Sequence, residues 1–276
     1  MTPFRVETPD ASETPLVVEV PHAGVHIDGE SLAWMCAPAR AIGRDADLWV
    51  DRLFEDAPRL GATLLVSSWS RYVLDLNRGP DDYDGLAVEG GPESNLPRGL
   101  VWRTSTEGDP ILARRLTQAE LARRKAALYD PYHDTLSRLL DEKRQRFGHA
   151  ILLCAHSMPS SGRRGHVDVG AGRADVVPGS RGRTSAASSV IDCVERVARG
   201  ASLTVKHDDP YKGGFATQHY GQPARACHAV QVELARRLYM DEDSLAPLGA
   251  AFDRVRAFAR ALVTALGKVD PAATSP

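Results

Sequence analysis

The sequence predicts a three-layer α/β/α sandwich built on a mixed, mainly parallel sheet. Short apolar runs rich in β-branched residues alternate with longer stretches in which apolar residues recur at helical spacing. This alternation is typical of crossover connections between parallel strands, with helices packed on both faces of the sheet. A chain of 276 residues can bury a large core and lies near the upper limit for one α/β domain. We therefore expect residues 1–276 to form a single domain.

The order of the predicted elements supports this fold class. Short apolar runs have the length and composition of buried strands, and the periodic stretches between them have the length of helices. The predicted strands are residues 16–20, 62–67, 72–76, 151–154, 203–205 and 229–232. The predicted helices are residues 45–60, 111–147 with a break near Pro131, 186–198 and 245–266.

Two long stretches have no regular period. Residues 79–103 are rich in Gly, Pro and Asp, and residues 157–184 are rich in Gly and Arg. Loops of this length inside a compact domain are usually functional or disordered. Because both follow predicted strands, we expect them to cover a site at the edge of the sheet.

Composition favours a small-molecule partner. The net charge of −2, from 34 basic and 36 acidic residues, provides no basic field for nucleic acid or an anionic membrane. No apolar stretch approaches the roughly 20 residues that span a bilayer, and residues 1–10 lack a signal-peptide pattern. The four cysteines follow no metal-binding or CxxC spacing. We expect a cytoplasmic monomer or small homo-oligomer that binds neither nucleic acid nor membrane.

Two of the predicted strands are each followed by a histidine. His22 follows the strand at residues 16–20, and His156 follows the strand at residues 151–154. The ends of parallel strands share one edge of a sheet, so the two imidazoles can meet there. Imidazole is the commonest metal ligand, and a catalytic zinc site combines three N or O ligands with one open position for water. The pair therefore favours a metal site over two separate packing histidines.

The remaining ligand of such a site would be a carboxylate. The segment that opens the predicted helix at residues 45–60 offers Asp45, Asp47 and Asp51. The first two could equally cap the helix, where the helix dipole favours negative charge. His26 is interpreted as a loop residue because one ligand from this part of the chain is enough.

Polar side chains suited to an anionic substrate surround the predicted strand at residues 72–76. Arg71 precedes this strand, and Asn77 and Arg78 follow it. An arginine fork beside a directional amide suits a carboxylate. The alternative is a surface ion pair between the arginine and a neighbouring aspartate.

Glu233 closes the apolar run at residues 229–232. A lone carboxylate that faces a core is costly unless it is paired or used. Beside a metal-bound water, it could act as a general base.

Several longer motifs occur in a fixed order between residues 18 and 242. They are "VPHAG", "DADLWVDRL", "SRYVLDLNR", "AHS", "YKGGFATQHYG" and "VQVELARRLYMDE". In these motifs the chain resembles the N-formylglutamate amidohydrolase family, the deformylases of histidine breakdown. Members of that family are similar in architecture to zinc carboxypeptidases and aspartoacylase.

The resemblance implies a cofactor and its ligands. It implies one zinc ion per chain, held by His22, Asp47 and His156. Asp51, one helical turn beyond Asp47, is the alternative acidic ligand.

The resemblance also implies a reaction, the hydrolysis of N-formyl-L-glutamate to glutamate and formate. Asn77 and Arg78 would bind a substrate carboxylate, and Glu233 would be the catalytic base. Arg71 would help zinc to stabilise the tetrahedral oxyanion. The substrate is thus expected to be a small molecule that carries a carboxylate.

The segment at residues 211–220 is expected to close over the substrate. Gly213 and Gly214 permit close approach or motion of the backbone. Lys212 and Tyr220 are candidate substrate contacts, although ordinary loop roles fit them equally well.

The chain departs from the family pattern after "AHS". Residues 158–185 replace a segment that helps to choose the substrate, so another N-acyl amino acid is an alternative to N-formylglutamate. A zinc peptidase or cell-wall amidase acting on short peptides would use the same metal site with an open groove. A metal-free binding protein with a degenerate site is the remaining alternative.

Overall fold

A six-stranded mixed sheet forms the centre of the molecule. The computed structural model describes residues 2–10 and 12–272. The strands are β1 (Phe4–Glu7), β2 (Leu16–Val20), β3 (Thr63–Ser67), β4 (Ala150–Met158), β5 (Val176–Gly179) and β6 (Cys227–Ala235). They lie in the order β1-β3-β2-β4-β6-β5. The inner strands run parallel, whereas β1 and β5 pair antiparallel at the two edges.

Helices cover both faces of this sheet. They are α1 (Gly29–Leu32), α2 (Ala39–Asp45), α3 (Val50–Leu53), α4 (Gln118–Arg124), α5 (Asp130–Phe147), α6 (Ser188–Gly200), α7 (Phe215–Tyr220) and α8 (Gly249–Leu266). Side chains of α3, α6 and α8 pack in one apolar core with one face of the strands. Side chains of α4, α5 and α7 pack in a second core on the other face. The predicted α/β/α sandwich with a mixed, mainly parallel sheet is therefore confirmed.

In the sequence, the central strands are continuous apolar runs because both of their faces are buried. Along β4, Ile151 and Leu153 belong to the first core, and Leu152 and Cys154 belong to the second. A strand covered on both sides has no solvent-facing row that would show alternation. The strands predicted at residues 16–20, 62–67, 151–154 and 229–232 are thus confirmed, although β4 and β6 are each nine residues long and continue past the predicted ends.

Two predicted strands are wrong. Residues 72–76 form turns and irregular chain, although Val73, Leu74 and Leu76 are buried in the second core. These residues are apolar because the loop is buried. They do not pair with any strand of the sheet. Of residues 203–205, only Val205 makes an isolated bridge, to Val176.

Two strands were not predicted, and both lie at edges. Strand β1 is short and alternates apolar with charged residues, so its apolar content is low. Strand β5 lies inside the stretch predicted to be loop and contains Pro178. Proline lacks the N–H that a central strand needs but is tolerated at an edge, which is where β5 lies.

Two helical predictions need correction. The helix predicted at residues 45–60 begins only at Val50, because Trp49 has a left-handed φ of 70°, and α3 is followed by a separate 3₁₀ turn, Pro58–Leu60. The helix predicted from residue 111 begins at Gln118, and no break occurs near Pro131. A π-helical turn, Lys125–Tyr129, joins α4 to α5, and Pro131 follows it within the first turn of α5, where proline is tolerated.

Within the described ranges, none of the helices combines the length and apolar character needed to cross a membrane.

Candidate active site

The carboxyl ends of the parallel strands bring the two predicted histidines together. His22 lies two residues beyond β2, and His156 lies within β4. Their ring centroids are 5.0 Å apart. Both side chains are almost fully buried. Neighbouring parallel strands therefore place two imidazoles at one edge of the sheet, as expected.

A carboxylate completes this group. Asp47 lies between α2 and α3, and its backbone N–H donates to the carbonyl of His22 at 2.8 Å. Its Oδ2 is 3.0 Å from Nδ1 of His156 and 3.7 Å from Nδ1 of His22. One ligand atom from each of the three residues lies within 4.8 Å of the others. These three residues could hold a metal ion.

The hydrogen bonds of His22 support this role. Its Nε2 is 2.8 Å from Oδ1 of Asp75. Its Nδ1 is buried and has no hydrogen-bond partner among the described residues. A buried ring nitrogen left free while a carboxylate holds the other nitrogen is the usual arrangement of a metal-binding histidine. The donor set of two imidazoles and one carboxylate also suits zinc.

Asp75 orients His22 and was not identified as a site residue from the sequence. Arg71 donates to its Oδ2 at 2.7 Å, and the indole N–H of Trp102 donates to the same oxygen at 2.9 Å. Burial alone would raise the pKa of Asp75, but Arg71 and His22 hold it well below its usual range. The carboxylate therefore stays ionised. The available signal was its position in "SRYVLDLNR", two residues before Asn77.

Arg236 was also missed from the sequence. Its Nη2 lies 3.2 Å from Oδ1 of Asp47 and donates to the carbonyl of Ala46 at 2.7 Å. Against the effect of burial, His156 and His22 hold the pKa of Asp47 well below its usual range. Arg236 thus contacts Oδ1 of Asp47, whereas His156 and His22 face Oδ2.

The other two aspartates considered as ligands are not part of this group. Asp45 accepts hydrogen bonds from the hydroxyl of Tyr72 and the backbone N–H of Thr106, and it pairs with Arg163. Asp51 lines a separate surface cavity. Asp47 alone of the three belongs to the group that could hold a metal.

Glu233 lies beside the same group. It is the direct cross-strand partner of His156 in the β4–β6 register. The amide of Gln231 donates to its Oε1 at 2.8 Å. Burial raises the pKa of Glu233, and the nearby charge of Asp47 acts in the same direction. A carboxylate with a raised pKa takes up a proton more readily than one in water.

Arg71, Asn77 and Arg78 all line one cavity with Glu233 and the three possible ligands. The amide of Asn77 is engaged, since it donates to Oε1 of Gln231 at 3.1 Å and accepts from the backbone of Ala216 at 3.0 Å. Arg71 is held by Asp75. Among the described residues, the side chain of Arg78 donates hydrogen bonds only to backbone carbonyls.

The cavity measures about 410 Å³ and is bordered by both irregular stretches. Arg98 and Trp102 come from residues 79–103, and several residues between 159 and 173 come from the second stretch. This volume is in the usual range for a small-molecule site.

The segment predicted to close over the substrate lies only partly at the cavity. Lys212, Gly213 and Gly214 line it. Gly213 has a φ of +97°, and a Cβ atom on Gly214 would lie 2.4 Å from the amide nitrogen of Asn77. Glycine is therefore required at both positions. Tyr220 does not line the cavity, and its hydroxyl bonds to Nδ1 of His133 at 2.9 Å.

The comparisons with known proteins identify the class of this protein as a hydrolase. The N-formylglutamate amidohydrolase family model matches residues 14–240. The N-formylglutamate deformylases of Pseudomonas putida and Pseudomonas aeruginosa are each 33% identical over 83% of this chain, and the matches cover 82% and 84% of those proteins. The chain belongs to the N-formylglutamate amidohydrolase family, which confirms the resemblance drawn from the motifs.

Solved structures agree with this assignment. The crystal structure of N-formylglutamate amidohydrolase from Ralstonia eutropha JMP134 has a TM-score of 0.88 at 31% identity, covering 97% of this chain and 98% of that one. A gene product of Agrobacterium tumefaciens, 24% identical, has a TM-score of 0.70 and covers 96% of this chain and 95% of its own. The second likeness shows the fold alone.

Proposed function

We propose that the protein hydrolyses N-formyl-L-glutamate to glutamate and formate and uses one zinc ion per chain. The observation that carries the proposal is the buried group of His22, Asp47 and His156 with Glu233 beside it, in one cavity with Arg78. Family membership and relatives named N-formylglutamate deformylases support the same reaction.

His22, Asp47 and His156 would hold the metal. Zinc bound at such a site lowers the pKa of a bound water and polarises a carbonyl oxygen. The protein contributes the ionised state of Asp47 and the orientation of His22, which Asp75 fixes through Nε2. The free, buried Nδ1 of His22 supports this assignment.

Glu233 would move the proton. It takes a proton from the attacking water as a carbon–oxygen bond forms at the formyl carbon. It then passes that proton to the amine as the carbon–nitrogen bond breaks, so formate and glutamate leave. Its raised pKa favours the first transfer, and its Oε1 is held in place by Gln231.

The arginines would bind the charges of the substrate and transition state. Arg71, held by Asp75 and stacked 4.5 Å over the ring of Trp102, is rigid and suited to stabilise the oxyanion. Arg78 would bind a substrate carboxylate, while Asn77 positions the chain around it through Gln231 and Ala216. The two irregular stretches and residues 212–214 would enclose the substrate and exclude water.

A direct assay tests this function. Purified protein reconstituted with zinc should release formate from N-formyl-L-glutamate, and metal analysis should find about one zinc per chain. The same assay on N-formyl, N-acetyl and N-succinyl amino acids and on short peptides ranks the substrates. No formate release, or full activity after chelation without metal uptake on reconstitution, would contradict the proposal.

The His156→Ala variant provides the matched check on the metal site. It should lose both metal and activity, because His156 contacts Asp47 in the proposed ligand group. A His156→Ala protein that keeps full deformylase activity would exclude this ligand assignment.

A further inference from the structure

The cations that line the cavity divide into two groups. Most of them face a carboxylate: Arg71 pairs with Asp75, Arg163 with Asp45, Arg173 with Asp168, Arg236 with Asp47 and Arg44 with Glu107. Three others, Arg78, Arg98 and Lys212, have no carboxylate oxygen within 4.0 Å anywhere in residues 2–10 and 12–272. The cavity therefore holds more positive charge than its own carboxylates neutralise.

Arg98 lies deep enough for this charge to matter. It is partly buried, and the pKa of its guanidinium is lowered, first by burial and also by the charge of Arg78, while Asp45 acts in the opposite direction. Its backbone carbonyl accepts a hydrogen bond from Nε of Arg78 at 3.1 Å. Two guanidinium groups in one partly desolvated cavity, neither in direct contact with a carboxylate, are unfavourable unless an anion joins them.

Contacts with the second irregular stretch fix the position of the Arg98 side chain. Its Nη2 donates to the carbonyl of Gly165. A Cβ atom on Gly165 would lie 2.6 Å from Nη1 of Arg98 and 2.9 Å from the carbonyl oxygen of Thr106. Only glycine at position 165 leaves room for the guanidinium. Among the hydrogen bonds of the described residues, Nε and Nη1 of Arg98 remain available to a ligand.

The two arginines without a carboxylate partner have different neighbours. Arg78 follows Asn77, whose amide nitrogen is 3.3 Å from Nε2 of His156. Arg98 instead donates to the carbonyl of Gly165 in the second irregular stretch, and among the described residues its side chain makes no hydrogen bond to the proposed metal ligands or to Asn77. In an N-acyl amino acid with an acidic side chain, the α-carboxylate is attached to the carbon that bears the scissile amide nitrogen. The side-chain carboxylate is separated from that carbon by methylene groups.

We propose that Arg98 binds the side-chain carboxylate of the substrate while Arg78 binds the α-carboxylate, so that Arg98 selects N-acyl amino acids with an acidic side chain. This inference rests on the proposed function for the reaction but assigns the selectivity to one residue. Two anionic groups would neutralise the two arginines that lack partners. The irregular stretch at residues 79–103 thus contributes a substrate contact as well as a cover.

The test compares an acidic substrate with its neutral isostere. Arg98→Met should lower kcat/KM for N-formyl-L-glutamate by about 100-fold, mainly through KM, because it removes one member of a desolvated charge pair. The value for N-formyl-L-glutamine should change by less than about threefold. Arg98→Lys should restore part of the preference because it restores the charge without the planar fork.

Two further variants separate binding from structure. Gly165→Ala keeps the charge but displaces the guanidinium, so it should reduce the same preference. Arg164→Met removes a neighbouring exposed charge outside the cavity lining and should leave the preference unchanged. Equal losses on both substrates in Arg98→Met would overturn the inference, as would an unchanged preference.

Binding measured by calorimetry distinguishes this inference from the proposed function. If zinc-loaded wild-type protein releases no formate but binds N-formyl-L-glutamate through Arg98 more tightly than N-formyl-L-glutamine, the reaction is wrong and the inference stands. If formate is released and Arg98→Met binds both compounds as wild type does, the reaction stands and the inference is overturned.

Discussion

At the scale of single residues, side chains of the site use one polar atom to hold their orientation and leave another free to bind or react. His22 gives Nε2 to Asp75 and keeps Nδ1 free. Glu233 gives Oε1 to Gln231, which leaves Oε2 for proton exchange. Arg71 is held by Asp75, whereas Arg78 keeps part of its guanidinium available. Each proposed reacting group thus has a neighbour that fixes its orientation.

Asp75→Asn should weaken metal binding without abolishing it. The amide removes the negative charge that holds Nε2 of His22, and losing such a carboxylate typically costs about 10- to 100-fold in metal affinity. Zinc affinity measured by competition with a chelator checks this. Asp56→Asn is the matched control, because Asp56 is equally buried but pairs with Arg256 away from the cavity. Equal zinc affinity in wild type and Asp75→Asn would rule out the orienting role.

Glu233→Gln should lower kcat by about 10²- to 10⁴-fold while zinc content stays at the wild-type level. The amide is isosteric with the carboxylate but cannot accept the proton from water. Parallel turnover and metal analyses check both parts. If the variant instead loses its zinc, Glu233 is a metal ligand and the assignment as base fails.

At the scale of elements, strand register accounts for much of the geometry of the site. The parallel pairing of β4 with β6 sets His156 opposite Glu233, and the pairing of β2 with β4 brings the chain after β2 to the same edge. These neighbours are far apart in sequence. Their approach follows from topology and could be predicted once the alternation of strands and helices was recognised.

Other parts of the site could not be predicted from periodicity. Asp75 lies in an apolar stretch that looks like a strand, but the stretch is a buried loop whose polar groups bond to Arg71, Trp102 and His22. Arg236 lies in a short 3₁₀ turn after β6 and contacts Asp47, which is 189 residues away in the sequence. Such contacts arise from tertiary packing, which leaves no local repeat in the sequence.

Gly214→Ala should impair the site because the added methyl group would collide with Asn77. The new methyl group would lie 2.4 Å from the amide nitrogen of Asn77, and the overpacking should destabilise the protein by about 1–3 kcal/mol and lower kcat/KM. Gly200→Ala at the end of α6 is the control, because its Cβ would meet nothing within 4 Å. Unfolding by denaturant and steady-state kinetics on both variants measure the difference. If Gly214→Ala matched Gly200→Ala in both, the close approach to Asn77 would be unimportant.

At the scale of the whole molecule, partly or fully buried histidines make stability depend on pH. Burial lowers the pKa of His133, His166 and His228 to about 4 in each case. The unfolded chain takes up protons at these residues near pH 6.5, whereas the folded protein does so only near pH 4. The free energy of unfolding should therefore fall as the pH decreases from 6.5 to 4.

His133 should contribute the clearest part of this dependence, since its ring is enclosed by Tyr129, Phe215 and Tyr220. Its share of the loss at pH 4 is of order 1–3 kcal/mol. His133→Asn should therefore show a smaller decrease of unfolding free energy between pH 6.5 and 4 than wild type does, measured by denaturant titration at each pH. Identical slopes in the two proteins would exclude a neutral His133 in the folded state.

The two edge strands of the sheet affect whether molecules of this protein aggregate at high concentration. An unpaired strand edge is a template on which a second chain can add a strand and begin to aggregate. One edge strand, β1, is only four residues long and carries the charged pair Arg5 and Glu7. The other, β5, is equally short and carries Pro178, which cannot donate to an incoming strand, and residues 204–208 already bond to its outer side at Val176 and Pro178. The features that hid both strands from the sequence pattern are the same ones that oppose growth of the sheet from one molecule to the next.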